Sequence, residues 1–269
     1  MQSAPRVDYS PLDRPEVITR LFHPRPEWHA SDRGGPSRDV LIPVEKDVVV
    51  GARFHMIDQR GANILFFHGN GEIVADYDEL GPVYNRMGIN FLPVDYRGYG
   101  RSTGSPTVTA MMRDSRVVFE FVKNWLGENG YGGPLVAMGR SLGSASVAEI
   151  AFNHEDKLDA LIIESGFAYA TPLLELLGVD AASIGFREED GFRNVDKVRE
   201  FDKPLLIIHA EFDHIIPFSD GQALHDASKS RDKTLLKIRG ANHNDIFARG
   251  LIEYMSAVKK LVDGLKAKQ

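Results

Sequence analysis

The sequence predicts an α/β fold, a mostly parallel sheet of eight strands with helices on both faces. Short, nearly continuous apolar runs recur at 63–67, 89–94, 134–138, 158–163, 204–209 and 234–238. Each has the length and β-branched content of a strand buried on both faces. Helical patterns lie between them: Val117, Val118, Phe121, Val122, Trp125 and Leu126 fall on one face at 3.6-residue spacing. Strand and helix in alternation imply parallel crossovers, which cover both faces of the sheet.

Taken in chain order, residues 1–38 are rich in proline and scattered charge and read as an amino-terminal arm without a core of its own. Residues 39–44 and 48–56 read as two strands joined by the polar Glu45-Lys46-Asp47 turn, an antiparallel hairpin that opens the main domain, 39–269. The six apolar runs follow. Ile246, Phe247, Leu251, Ile252, Met255, Val258, Leu261, Val262 and Leu265 outline a terminal helix. One connection is long: about forty residues separate the run ending at Ile163 from the one beginning at Pro204, and such lengths carry structure or function of their own. Residues 166–200 are therefore expected to form a small lid.

Composition narrows the function. The chain of 269 residues is 43% hydrophobic and 26% charged, as in globular proteins, and its net charge of −6 comes without a dense Lys/Arg cluster, which argues against nucleic acid as a partner. Cysteine is absent, so no disulfide or thiolate metal site can form, in keeping with a reducing compartment. The amino terminus lacks the apolar core of a secretory signal, and no run approaches the ~18 apolar residues of a membrane span. A cytoplasmic protein is expected.

Two Gly-x-Ser-x-Gly segments occur, Gly100-Arg101-Ser102-Thr103-Gly104 and Gly139-Arg140-Ser141-Leu142-Gly143. A serine nucleophile of this kind needs a strand before it, a sharp turn at the serine and a helix after it. Ser141 has the strand in 135–138 and small residues after it that let a helix pack close to the sheet. Ser102 follows a glycine-rich stretch and runs into Gly104-Ser105-Pro106, a loop. Ser141 is the expected nucleophile.

A serine hydroxyl needs a base to take its proton and a carboxylate to hold that base in the right tautomer. His243 lies in a short loop after the last strand and before the terminal helix, on the same sheet edge as Ser141, and is the expected general base. Asp213 follows the 204–209 strand and precedes Ile215-Ile216-Pro217; it is the expected acid, with Glu164 the alternative. Oxyanion donors are expected at the backbone N–H groups of Leu142, after the nucleophile, and Asn70, in the loop after His68-Gly69. His68 is expected to brace that loop. Phe167, Tyr169 and Leu173 are candidates to floor an acyl pocket, or to pack the lid onto the sheet. Arg140 could meet an acidic substrate group or brace nearby carboxylates. No metal-ligand spacing, dinucleotide fingerprint or phosphate loop is present, so no metal or cofactor is expected.

The ordered set His68-Gly69-Asn70-Gly71, Asp95-Tyr96-Arg97-Gly98-Tyr99-Gly100, Gly139-Arg140-Ser141-Leu142-Gly143, Asp213 and His243 resembles the α/β-hydrolase superfamily from about residue 39 onward. The order serine, aspartate, histidine is that of α/β-hydrolases rather than of chymotrypsin-like or subtilisin-like proteases. More narrowly, Phe192-Arg193-Asn194, Pro217-Phe218-Ser219 and 240–245 are similar to the small-lid branch that contains the protein depalmitoylases. The resemblance implies a Ser141–His243–Asp213 triad and esterase or thioesterase chemistry on a small-molecule ester or acyl substrate. Members of that branch reach membranes through lipidated cysteines or an amino-terminal anchor, and this chain has no cysteine. A peptidase or amidase on the same triad, and a non-catalytic binding protein of the same fold, are the competing readings.

Overall fold

The computed structural model describes residues 7–28 and 37–266. β1 (Ser37–Glu45) and β2 (Val48–His55) form the antiparallel hairpin, with Asp47 at φ 62° in its turn. β3 (Asn63–Phe67), β4 (Asn90–Val94), β5 (Leu135–Arg140), β6 (Ala160–Glu164), β7 (Leu205–Ala210) and β8 (Lys233–Ile238) run parallel. They complete an eight-stranded sheet in the order β1-β2-β4-β3-β5-β6-β7-β8. All six apolar runs are strands, displaced by no more than a residue or two at their ends.

Side chains alternate across the sheet, and two apolar clusters follow. Leu65, Phe67, Ala137, Leu161, Ile163, Leu205 and Ile207 point to one face. There they meet α3 (Val108–Glu128), α4 (Gly143–His154) and α6 (Asn194–Glu200) through Val118, Phe119, Val147 and Val198. Ile64, Phe66, Val136, Met138, Ile162, Leu206 and Ile208 point to the other, against α2 (Leu80–Arg86) and α8 (Ile246–Lys266) through Tyr84, Tyr254, Val258 and Val262. This is the period-2 alternation of a sheet packed on both sides. α8 is kinked at Gly250, where a Cβ would lie 2.5 Å from Ile238 Cγ2, so the position favours glycine.

Residues 9–22, expected as an arm, carry a 3₁₀ turn at Ser10–Leu12 and α1 (Pro15–Leu21). Tyr9, Leu12, Val17, Leu21 and Phe22 are buried in the first cluster. The β6–β7 connection carries α5 (Ala170–Leu176) and α6, and buries Leu174, Val179, Phe186 and Phe192 in the same cluster. Its start is pinned where Asp220, on α7 (Phe218–Ala227), accepts the Ala168 N–H at 2.8 Å and Asn194 donates to the Phe167 carbonyl at 3.0 Å. No helix among the described residues is long and apolar enough to cross a membrane.

Winding reverses at β3, which has β4 on one side and β5 on the other. In an open parallel sheet, a crevice forms at such a reversal, beyond the carboxyl ends of the strands.

Candidate active site

Ser141 occupies the turn between β5 and α4 with φ 50°, a left-handed conformation unusual for a residue with a Cβ. Such a residue costs about 1–3 kcal/mol and persists only when its surroundings hold it. Here the Ser141 N–H donates to the Glu164 carbonyl at 2.9 Å, and the Ser141 carbonyl accepts the Ser144 N–H at 3.0 Å and its hydroxyl at 2.6 Å. The flanking glycines are required by contact. A Cβ on Gly143 would lie 2.1 Å from the Phe67 carbonyl oxygen, and one on Gly139 would lie 2.3 Å from the Gly143 carbonyl oxygen.

The structure brings Ser141, His243 and Asp213 together although they come from three loops. His243 Nε2 lies 3.1 Å from Ser141 Oγ, and His243 Nδ1 lies 2.8 Å from Asp213 Oδ2. The other carboxylate oxygen, Oδ1, accepts the N–H groups of Ile215 at 3.0 Å and Ile216 at 2.8 Å. Burial pushes the Asp213 carboxyl up, but the hydrogen bond and charge of His243 and those two amides outweigh it, leaving Asp213 below the ordinary carboxylate value. With the carboxylate on Nδ1, the proton is held there and Nε2 is left to accept from the serine hydroxyl. His209, behind the acid, donates from Nε2 to the Ile216 carbonyl at 2.8 Å, and burial lowers its pKa. A neutral ring there does not compete with His243 as a cation.

The loop after β3 lies beside the elbow. Gly69 N–H donates to Glu72 Oε2 at 2.6 Å, whereas the backbone N–H groups of Asn70 and Leu142 have no partner among the described residues. Leu142 also precedes the amino end of α4, where backbone dipoles favour negative charge. His68 braces the loop, with Nδ1 2.8 Å from the Gly69 carbonyl and Nε2 3.2 Å from Asp95 Oδ1.

The competing assignments fall elsewhere. Ser102 Oγ accepts the Gly51 N–H at 2.9 Å in the loop before α3. Glu164 is occupied: Tyr254 donates to its Oε2 at 2.7 Å and Arg140 Nε lies 3.2 Å from its Oε1. Burial raises the Glu164 pKa. Phe167 is buried with its ring on Phe192 at 5.1 Å, Leu173 is half-buried against the first cluster, and Tyr169 is 44% exposed.

Arg140 has the largest role that motif reading left open. Its guanidinium contacts Glu72 Oε1 at 2.9 Å, Glu164 and the His243 carbonyl at 2.9 Å. One buried cation thus joins the Asn70 loop, the end of β6 and the histidine loop, and it is not free for a substrate. Glu72 was missed altogether. Its only sequence signal is a carboxylate three residues after Gly69, where it can accept that residue's N–H.

A parallel sheet bearing a strained serine elbow, with an imidazole between hydroxyl and carboxylate at its carboxyl edge, defines a hydrolase-type fold and site. The chain has the α/β-hydrolase fold and is similar in sequence to proteins of that superfamily. Residues 58–181 match the family described as serine aminopeptidase, S33. Alpha/beta hydrolase domain-containing protein 17B of Homo sapiens is 31% identical over 209 residues, 74% of this chain and 65% of that protein. Lysophosphatidylserine lipase ABHD12 of Xenopus tropicalis is 33% identical over 183 residues, 61% of this chain and 46% of that protein. The chain thus spans just under two thirds of the first relative and about half of the second. Among solved structures, Est1E of Butyrivibrio proteoclasticus, with ferulic acid bound, superposes with a TM-score of 0.70 at 21% identity, covering 85% of this chain and 99% of that one. The Pyrococcus furiosus esterase Pf2001 superposes with a TM-score of 0.70 at 18% identity, covering 91% and 100%. These two likenesses establish the fold.

Proposed function

We propose that the chain is a serine hydrolase that cleaves carboxylic esters or thioesters through an acyl-enzyme on Ser141. The observation that carries this reading is the hydrogen-bonded line from Ser141 Oγ through His243 to Asp213, with separations of 3.1 and 2.8 Å. In the first half-reaction His243 Nε2 takes the serine proton as Oγ attacks the substrate carbonyl. The tetrahedral oxyanion accepts the N–H groups of Leu142 and Asn70. The imidazolium, stabilised by Asp213, then protonates the departing alkoxide or thiolate and leaves the acyl group on Ser141. Water repeats the sequence: His243 takes its proton, the hydroxide adds to the acyl carbon, and Ser141 leaves with the proton returned.

The relatives named as lysophosphatidylserine lipases make single-chain acyl glycerophospholipids the first natural esters to try. The match to a family described as serine aminopeptidase keeps a second reading, hydrolysis of an aminoacyl amide by the same residues. The two separate by kinetics on p-nitrophenyl esters, acyl thioesters and aminoacyl anilides run side by side.

A fluorophosphonate probe tests the shared premise. We expect it to attach covalently to Ser141, located by mass spectrometry, and to abolish turnover. Ser141→Ala should block labelling and lower kcat ~10⁴–10⁶-fold with the thermal midpoint preserved. Normal esterase activity in that variant would refute the nucleophile assignment.

A further inference from the structure

The strap that follows α1, outside the domain the sequence delimits, lies directly on the loop that carries Asn70. His23 N–H donates to Asn70 Oδ1 at 2.9 Å, and the Tyr99 hydroxyl donates to the same oxygen at 2.8 Å. Two donors on that oxygen fix the orientation of the amide, so its Nδ2 is the donor toward His23 Nδ1 at 2.8 Å. His23 therefore grips Asn70 twice, with its backbone N–H and with the lone pair of its ring nitrogen.

Its neighbours hold the strap in place. Arg25 Nε donates to the Gly71 carbonyl at 2.7 Å, and Arg25 pairs with Asp76, whose carboxylate accepts the Ile73 N–H at 3.0 Å. On the other side the Arg25 carbonyl accepts the Gly100 N–H at 2.9 Å, and Glu27 N–H donates to the Gly100 carbonyl at 3.1 Å.

We propose that His23 is a positioning residue for the Asn70 backbone donor, making the strap at 23–27 a working part of the active site. The inference rests on the acyl-transfer reading above. His68 and Glu72 brace the loop at Gly69, but neither of those bonds reaches Asn70. The loop turns at Gly71 with φ 75°, and its Gly69 N–H is already committed to Glu72. Asn70 carries the free N–H, and the hydrogen bonds that fix its side chain come from His23 and Tyr99. The worth of an oxyanion donor depends on where it stands when charge develops, so a group that fixes its position acts on kcat rather than on substrate binding.

The test uses the full chain carrying His23→Ala or His23→Asn, since asparagine can offer an acceptor oxygen close to where the ring nitrogen stands. Rates on a p-nitrophenyl ester are read with thermal midpoints and with the affinity of an alkyl trifluoromethyl ketone, whose hemiketal oxyanion mimics the intermediate. For His23→Ala we expect kcat to fall ~10-fold with KM within about twofold, and the ketone to weaken in parallel. His23→Asn should recover most of both.

Unchanged kcat in His23→Ala, a loss explained by unfolding, or a loss that asparagine does not rescue would overturn the proposal. Wild-type protein that neither labels with fluorophosphonate nor turns over ester would instead sink the acyl-transfer reading. Protein that labels normally while His23→Ala behaves as wild type would sink the positioning role alone.

Discussion

At the scale of single residues, the informative contrast lies between two carboxylates, Asp213 and Glu164. Glu164 ends β6 and Asp213 lies in the loop just beyond β7, and sequence alone leaves both eligible to orient His243. Their surroundings separate them: Asp213 meets an imidazole and two amides, whereas Glu164 meets Arg140 and Tyr254. Asp213→Asn should therefore lower kcat ~10⁴-fold by favouring the wrong imidazole tautomer, with Glu164→Gln showing the smaller kinetic effect. A larger kinetic loss in the Glu164 variant would reverse the assignment. The depressed pKa of Asp213 also has a linkage consequence. Its carboxylate is favoured more in the folded chain than in the unfolded one, so it adds stability above its ordinary value. That contribution disappears as pH falls from the unfolded value, about 3.9, through the lower folded one. The stability gap between wild type and Asp213→Asn should thus be wider at about pH 6 than at about pH 3, as urea midpoints would report.

At the scale of elements, the strands and the elbow were legible because each is coded locally. A buried parallel strand must be a short apolar run, and Ser141 carries its own signature of strand, glycine, serine, glycine and small-residue helix. Contacts between distant elements have no such code. Glu72 and Arg140 are separated by most of the β3-to-β5 chain, and nothing in either neighbourhood shows that they meet. α1 was also invisible: its seven residues bury only Val17 and Leu21, too few for a periodicity to stand out. The glycines of the elbow make the coded part testable. Gly143→Ala drives a methyl group against the Phe67 carbonyl at 2.1 Å, where backbone must move, so it should cost about 1–3 kcal/mol and displace the Leu142 N–H. Gly264 in α8 has nothing within 4 Å of an added Cβ, and Gly264→Ala should instead stabilise by about 0.5–1 kcal/mol through helix propensity. Denaturant titration of the two variants checks the opposite signs.

At the scale of the whole molecule, the amino-terminal segment, the elbow helix α4 and the β6–β7 connection meet at one buried ionic cluster. Lys197 Nζ on α6 lies 2.8 Å from Glu149 Oε2 on α4 and 2.7 Å from the Tyr9 hydroxyl, which itself donates to Glu149 at 2.7 Å. Burial pushes the Glu149 carboxyl up, but the charge and hydrogen bond of Lys197, with the Tyr9 hydroxyl, outweigh it and leave its pKa below the ordinary value. Residues 9–22 are therefore held by the hydrogen bonds of the Tyr9 hydroxyl to this ion pair as well as by apolar contact, and their removal would expose core. A buried pair of this kind adds little net stability over apolar residues of similar volume, yet removing one partner strands a charge. Arg116 Nε also lies 3.6 Å from Glu149 Oε1, so Lys197→Met alone should destabilise by less than the ~3–5 kcal/mol of a fully stranded charge, with a smaller deficit in Lys197→Met combined with Glu149→Leu. Neither residue contacts Ser141, His243 or Asp213 in this cluster, so the activity of the folded fraction should stay at the wild-type value. Urea midpoints and active-site titration with fluorophosphonate read the two quantities separately. If the double variant proved less stable than Lys197→Met alone, the cluster would be worth more than its desolvation costs, and these three segments would be joined by charge rather than by packing.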